Sequence, residues 1–137
     1  MTLQLSTTAR NNRLDSIETT IGTDADLLIY SGSAPANCAA SATGTLLATM
    51  ALPSDSFAAA SGGSKAKSGT WSTTGAAGAG SGTDAGYFRI VDGGGVCHLQ
   101  GTASGEGEGG DLELNNANIA TGQTVTISTF TIDDPNG

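Results

Sequence analysis

The apolar residues of this chain occur in short runs, and each run stops at glycine, proline or a serine-rich turn. One run covers residues 27–30 and ends at the turn 31–33. Another covers residues 45–52, and Gly44 before it and Pro53 after it leave only eight residues. Runs this short are typical of β-strands, because helices usually need about ten residues or more. The chain is therefore expected to fold mainly as β-structure.

The second half contains the clearest strand signal, which predicts a β-hairpin over residues 86–101. Residues 86–91 and 96–100 are rich in apolar side chains. Asp92 and Gly93 lie between them and tolerate the positive φ angles of a tight turn.

The final segment, residues 124–132, predicts a strand that changes its buried face partway. Its apolar side chains occupy odd-numbered positions up to Ile127 and even-numbered positions from Phe130 onward. A strand with one buried face cannot satisfy both parities without a shift of one residue. A β-bulge or a sharp bend is therefore expected near Ser128 and Thr129.

Two segments rich in small residues are interpreted as loops. Residues 54–67 predict a loop with a single helical turn at 57–60. Residues 73–84 carry almost no side chains that can pack, so they predict a surface excursion. A short strand is expected between these loops, at 68–72 around Trp71.

Residues 6–21 carry the one helical signal of the chain. Ser6 is a suitable N-cap, and Gly22 is a suitable stop. Asp15 and Glu18 are expected on the solvent-facing side of this helix. The apolar stripe, which must pack on the β domain or on a neighbouring molecule, consists of Leu14, Ile17 and Ile21.

These elements together predict an all-β fold, an antiparallel jelly roll or β-sandwich with one short N-terminal helix. A length of 137 residues suggests one domain. The expected organisation is an N-terminal arm and amphipathic helix over residues 1–22, followed by a single β-sandwich domain over residues 23–137.

The composition argues against several kinds of partner. Thirteen acidic residues face five lysines and arginines, so the net charge is −8. Contacts with phosphates need basic side chains, so neither nucleic acid nor an anionic membrane is expected as a partner. No apolar stretch approaches the roughly 18 residues of a membrane span. Residues 1–6 lack the basic head of a secretory signal, which is therefore not expected.

The two cysteines, Cys38 and Cys97, lie 59 positions apart. This spacing fits neither a zinc knuckle nor a thioredoxin-type motif. The pair can form one disulfide or remain as two buried thiols, and thiols are favoured for a protein made in the cytoplasm.

No arrangement of residues predicts catalysis, so the chain is not expected to be an enzyme. His98 is the only histidine, and it follows Cys97 directly within a predicted strand. Adjacent strand residues point to opposite faces, which prevents a thiolate–imidazole pair. Glu106 and Glu108 lie among glycines, where nothing rigid or dry would raise a carboxyl pKa for glycoside hydrolysis.

The sequence contains two weaker signals for ligand binding. Asp24 with Asp26, and the acidic segment 105–111, offer oxygen ligands for calcium, but their spacing does not match an EF-hand. Trp71 and Tyr87 could form a sugar-binding platform, although such residues more often pack inside the fold. Neither a metal nor a cofactor is predicted.

The chain resembles the cement, or head decoration, proteins of tailed phages, in particular the Bordetella-phage-like cementing proteins. The resemblance covers nearly the whole chain and rests on patterns of strands and turns rather than on catalytic motifs. The matching segments are residues 3–6, 9–18, 30–36, 44–52, 86–92, 109–115 and 119–132.

This resemblance implies a jelly-roll protein on the outside of a phage head whose major capsid protein has the HK97-type fold. It implies clamping of neighbouring capsid subunits after the shell expands. The implied partners are the major capsid protein and a second copy of the chain, as a dimer rather than a trimer. The implied location is the outer capsid surface of the virion, reached from the host cytoplasm. The alternative is a carbohydrate-binding or adhesin-type module of a phage fibre.

The N-terminal segment is predicted to supply the contact with the capsid or with another copy. It carries two of the five bases next to the apolar stripe of the helix. The candidate interface residues are Leu5, Arg10, Arg13, Leu14 and Ile17. Pairing of an exposed edge strand between copies is a second hypothesis.

Overall fold

A computed structural model describes residues 2–135 of the chain. These residues form one α-helix, α1 (Thr7–Ile21), a short 3-10 turn (Ala77–Ala79) and eleven β-strands. The strands are β1 (Asp26–Tyr30), β2 (Leu46–Ala51), β3 (Ser64–Ala66), β4 (Trp71–Thr74), β5 (Thr83–Asp84), β6 (Tyr87–Val91), β7 (Cys97–Gly105), β8 (Leu112–Leu114), β9 (Asn118–Ile119), β10 (Thr124–Ile127) and β11 (Thr131–Asp133). The fold is thus all-β and sandwich-like with a short N-terminal helix, as the sequence predicts.

The largest sheet has five strands in the order β2-β1-β6-β7-β8. The first four pair antiparallel, and the predicted hairpin over residues 86–101 is confirmed as β6 and β7. The expectation of a wholly antiparallel fold is wrong for β8, which runs parallel to β7. The reason is the loop after Gly105, which folds back along β7. Asp111 holds it there by accepting hydrogen bonds from Thr102 N and Thr102 Oγ1, both at 2.9 Å.

Three two-stranded pairs, β4 with β10, β3 with β11 and β5 with β9, complete the fold. An isolated bridge between Ala48 and Gly75 joins β2 to the β4–β10 pair. An aromatic cluster lies between the layers and packs by edge-to-face and tilted contacts with ring centroids 5.4–6.1 Å apart. Its members are Phe57, Trp71, Phe88 and Phe130.

The ends of α1 follow the predicted capping rules. Ser6 Oγ accepts a hydrogen bond from Ala9 N at 3.1 Å. Gly22 ends the helix with a φ of 76°, a conformation that glycine adopts without strain. Leu14 and Ile21 are buried. The apolar stripe therefore packs on the chain's own β domain, and a neighbouring molecule is not needed to cover it.

The last strand breaks where its parity changes. β10 ends at Ile127, a bend occupies Ser128, and β11 begins at Thr131. Val125, Ile127 and Phe130 are all buried, so the bend lets both parities face the core. The predicted break near Ser128 and Thr129 is confirmed.

The two predicted loops contain more structure than their composition suggests. The helical turn expected at 57–60 is wrong, since Phe57 is extended and forms a bridge with Lys67. Residues 64–66 form β3, which the sequence pattern missed, because three residues are too few to show alternation. In the second loop Ala79 is buried, so this segment is only partly a surface excursion.

Among residues 2–135, α1 is neither long enough nor apolar enough to cross a bilayer.

Candidate interaction surfaces

The helix is fastened to the β domain by a buried lysine. Lys65 lies on β3, and only 1% of its side chain is exposed. Its Nζ lies 2.7 Å from Asp15 Oδ1 and 3.1 Å from Glu18 Oε2 and also donates to Ala58 O at 2.9 Å. A buried ammonium needs such partners because burial without them is costly. We call Lys65, Asp15 and Glu18 the Lys65 anchor.

Backbone groups of the segment 57–63 complete this attachment. Phe57 N donates to Glu18 Oε1 at 3.1 Å, and Ala60 N donates to Asp15 Oδ1 at 2.8 Å. The prediction that Asp15 and Glu18 only face solvent is therefore wrong. Both carboxylates point at donors that arrive from another part of the chain, and no local pattern around α1 reveals those donors.

The contacts within the Lys65 anchor displace the pKa values of Asp15 and Lys65. Hydrogen bonds from Lys65 and then from Ala60 N lower the pKa of Asp15 below its ordinary value of 3.8. Burial alone would lower the pKa of Lys65, but hydrogen bonds to Asp15 and Glu18 outweigh it and raise the pKa above 10.5. A hydrogen bond from His98, with one from Val96 N, lowers the pKa of Asp92 in the same way.

These shifts predict that stability is lost in acid. A carboxylate whose pKa is lower in the folded state stabilises the fold above its unfolded pKa, and this contribution disappears as pH falls through the folded pKa. The urea midpoint should therefore drop below about pH 4, near the unfolded pKa of aspartate. The lysine shift has the opposite sign, so its contribution is lost as pH rises beyond about 10.5.

Asp15→Asn should flatten the acid limb of the urea midpoint plotted against pH. Asp24→Asn is the matched control, since Asp24 forms no ion pair among the described residues. Equal acid limbs for Asp15→Asn and the unmodified protein would contradict the role of the Lys65 anchor.

The five predicted interface residues lie at or near α1, in different environments. Leu14 is buried, so it packs inside the molecule rather than on a partner. Arg10 Nη1 donates to Asp134 O at 3.0 Å, and Arg13 Nε pairs with Asp134 Oδ2 at 3.3 Å. Leu5 and Ile17 are half-buried. Leu14 is thus the one member of the predicted set that the fold buries, and the other four stay at least partly accessible.

The arm before the helix is more exposed than the helix itself. Residues 2–4 are exposed, and the side chain of Leu3 has 83% of its surface accessible. Leu3 is the most exposed large apolar residue of the described chain, ahead of Val96 at the tip of the β6–β7 hairpin. Leu3 is not among the predicted interface residues, although its position as an apolar residue outside the helical stripe was a signal for such a role.

The connection between β1 and β2 folds over the outer face of the central sheet. We call this segment, residues 31–44, the flap. A disulfide between Cys38 and Cys97 ties it to β7, with the two Cα atoms 5.2 Å apart. The preference for free thiols is therefore wrong. The hydroxyl of Tyr87 donates to Thr43 O and accepts from Thr43 N.

Two further side chains of the sheet hold the flap by its backbone. Arg89, buried on β6, donates from Nη2 to Asn37 O at 3.2 Å and to Ala40 O at 2.8 Å. Gln100 Nε2 donates to Pro35 O at 2.7 Å. A base in the centre of an apolar strand was the sequence signal for this contact. The flap is thus a fixed surface.

The candidate catalytic groups do not form a catalytic site. Cys97 is bonded to Cys38, so it is no nucleophile. His98 Nε2 lies 2.9 Å from Asp92 Oδ2, and the other oxygen of Asp92 accepts from Gly94 N and Val96 N in the hairpin turn. The His98–Asp92 pair therefore stabilises the turn.

The carboxylates in and beside the acidic loop after β7 accept hydrogen bonds from N–H and O–H groups of the same chain. Glu108 accepts from Gly105 N at 2.8 Å, while Glu113 accepts from two other glycine N–H groups of the loop. Glu106 accepts from Ser128 Oγ at 3.2 Å. Among residues 2–135, no three histidine, cysteine or acidic side chains are grouped as metal ligands would be.

The proposed sugar platform is not available in this fold. Trp71 and Tyr87 are both buried. Trp71 belongs to the aromatic cluster, and its Nε1 donates to Ser68 O at 3.1 Å. The hydroxyl of Tyr87 forms hydrogen bonds with Thr43 of the flap. Neither ring can stack on a sugar without unfolding its surroundings.

Comparisons with known proteins give no relative for this chain. No protein-family model matches it, and neither a curated protein nor a solved structure matches it significantly.

Proposed function

We propose that this protein is a structural cement protein that binds the outside of a phage capsid and holds neighbouring major capsid subunits together. The sequence resemblance to decoration proteins motivates the proposal. The observation that carries it is the exposed arm with Leu3 at its centre, placed before a helix that is fixed to the β domain. An apolar side chain on a rigid base is suited to insertion between subunits of a partner.

The fastened helix supports this role because it gives the arm a defined starting point. The contacts of Arg10 and Arg13 with Asp134 and the Lys65 anchor attach the first and the second half of α1 to other parts of the chain. An arm that starts from a fixed base loses less entropy on binding than one attached to a mobile helix. Many copies on one shell would then add modest contacts into a large total. Binding to the mature shell alone stabilises that shell by mass action.

Removal of residues 1–4 is expected to abolish binding to expanded, undecorated shells while the fold stays intact. The truncation leaves Ser6, and with it the N-cap of α1, in place. Binding is measured by co-sedimentation of the protein with shells, and folding by thermal denaturation. Full binding by the truncated protein would contradict the role of the arm.

A single substitution gives a finer test. Leu3→Ser should weaken binding about tenfold or more, since burial of a leucine side chain contributes about 1.5–3 kcal/mol. Val96→Ser is the matched control, because Val96 is the other strongly exposed apolar side chain and lies on the hairpin tip. Equal losses for both variants would argue against a specific arm contact.

A further inference from the structure

A cavity lies between the flap and the outer face of the central sheet. It has a volume of about 450 Å³, and its walls come from β1, β6, the flap and the tip of the β6–β7 hairpin. The flap is held in place by the disulfide and by the hydrogen bonds from Arg89 and Tyr87. The cavity is therefore a fixed feature of the fold.

Most of the side chains that line this cavity are apolar. They are Leu28 and Val91 from the sheet, Val96 from the hairpin tip, and Ala39 and Ala42 from the flap. Leu28 lies directly opposite Arg89 in the pairing of β1 with β6, so the apolar lining surrounds a basic side chain. Sites for small molecules combine an apolar wall with a few polar groups and have volumes of about 300–1,000 Å³. The cavity has both properties.

Arg89 gives the cavity a positive charge that the described part of the chain does not neutralise. The residue is buried, with 5% of its surface exposed. Among residues 2–135, no carboxylate oxygen lies within 4 Å of its guanidinium nitrogens. Nη2 donates to two carbonyls of the flap, whereas Nε is buried without a hydrogen-bond partner. Because burial of a cation without a counter-charge is costly, this arrangement favours an anion that arrives from outside.

Tyr30 brings a hydroxyl to the same cavity. Its ring stacks on the ring of Tyr87 with the centroids 5.1 Å apart, which fixes its orientation. Burial raises the pKa of Tyr30 above the ordinary value of 10.0, Tyr87 adds to the rise, and the charge of Arg89 opposes it. The hydroxyl therefore interacts electrostatically with the guanidinium. It stays protonated at neutral pH and can donate a hydrogen bond to an anion.

We propose that this cavity binds a small carboxylic acid in its ionised form, with the carboxylate towards Arg89 and Tyr30 and a short apolar group against the apolar lining. A carboxylate carries one negative charge, which one guanidinium can neutralise. A phosphate group is a poorer match, since it carries a charge of about −1.5 to −2.

The charge of the whole protein makes such a site specific. The net charge of −8 repels anions from most of the surface, so a carboxylate has little reason to bind elsewhere. This inference goes beyond the proposed function, since it concerns a small ligand rather than the contact with a shell.

Titration of the full chain with hexanoate, followed by calorimetry and nuclear magnetic resonance, tests the inference. Hexanamide is the matched probe without the charge, and acetate is the matched probe with almost no apolar group. Hexanoate should bind with a dissociation constant of about 1 mM or lower, and the other two probes should bind at least about tenfold more weakly. The signals that shift should be those of the lining residues, including the Nε–H signal of Arg89.

Two variants that keep the flap attached locate the site. Val96→Asp places a carboxylate at an exposed position of the lining and should weaken hexanoate binding at least about tenfold. Leu3→Asp is the matched control, because Leu3 is also exposed and apolar but does not line the cavity. Tyr30→Phe keeps the stacked ring and removes the hydroxyl, which should weaken binding about tenfold. Thermal denaturation checks that each variant is folded.

Equal affinity for hexanoate and either of the other probes would overturn the inference. Signal shifts outside the cavity, or equal effects of Val96→Asp and Leu3→Asp, would overturn it as well. The same holds if hexanoate fails to bind up to about 10 mM. None of these measurements uses a shell, so the proposed function stands or falls on its own test.

Discussion

Replacement of Cys38 and Cys97 by serine is expected to lower the free energy of unfolding by about 4 kcal/mol, because the disulfide closes a loop of 59 residues and restricts the unfolded chain. The melting temperature should fall by roughly 10–15 °C for a domain of this size. The flap should loosen first, since its other attachments are hydrogen bonds from Arg89, Gln100 and Tyr87.

The matched control is the unmodified protein in reductant. Its melting temperature should drop to that of the double serine variant, and reductant should leave the variant unchanged. Intact mass before and after alkylation under native and denaturing conditions reports the bond directly. Two alkylated cysteines in the unreduced, denatured protein would contradict the disulfide.

The second large effect is expected at the Lys65 anchor. Lys65→Ala should cost about 3 kcal/mol, since it leaves two carboxylates without their buried cation and opens a cavity beside β3. This loss of unfolding free energy lies at the lower end of the range for breaking a buried ion pair. The reason is that 45% of the Asp15 side chain is exposed, so water can solvate the carboxylate. Urea denaturation followed by tryptophan fluorescence measures the loss, with buried Trp71 as the reporter.

Lys67→Ala is the control for this prediction. Lys67 lies two residues further along, and its Nζ donates to Gly69 O at a more exposed position. Its loss should cost less than about 1 kcal/mol. Lys65→Met keeps most of the side-chain volume, so it should be less harmful than Lys65→Ala and more harmful than Lys67→Ala. Equal costs for the two alanine variants would show that the anchor does not fasten the helix.

Local rules were sufficient for the elements whose signals lie close together in the sequence. Ser6 and Gly22 bound α1 because capping needs only neighbouring backbone groups. The β6–β7 hairpin formed because the turn at Asp92 and Gly93 sets its own register. The bend at Ser128 follows from parity alone.

Contacts between distant segments were not predictable in the same way. The partners of Asp15 arrive from β3 and the segment before it, about 45–50 positions away. The pairing of Cys38 with Cys97 likewise depends on where the flap folds. The parallel pairing of β8 depends on a loop whose path is set by Asp111 and Thr102.

The predicted interface contains both kinds of residue within one short segment, those whose surroundings follow from local signals and those whose surroundings depend on distant segments. Leu14 was correctly placed on the apolar stripe, and the fold buries that stripe against the β domain. Arg10 and Arg13 stay predicted interface residues, and the fold adds a contact of each with Asp134 of the same chain. A sequence pattern identifies an apolar or basic face, but only the fold decides whether the same chain covers it.

The central claim, that this protein cements a phage head, is tested most directly by cryo-electron microscopy of expanded, undecorated shells mixed with the purified protein. The shells are those of a tailed phage whose major capsid protein has the HK97-type fold, which is the partner that the proposal names. The account predicts regular density for this β domain on the outer surface, with its N-terminal arm bridging neighbouring capsid subunits. Bare shells at saturating protein concentration would contradict it.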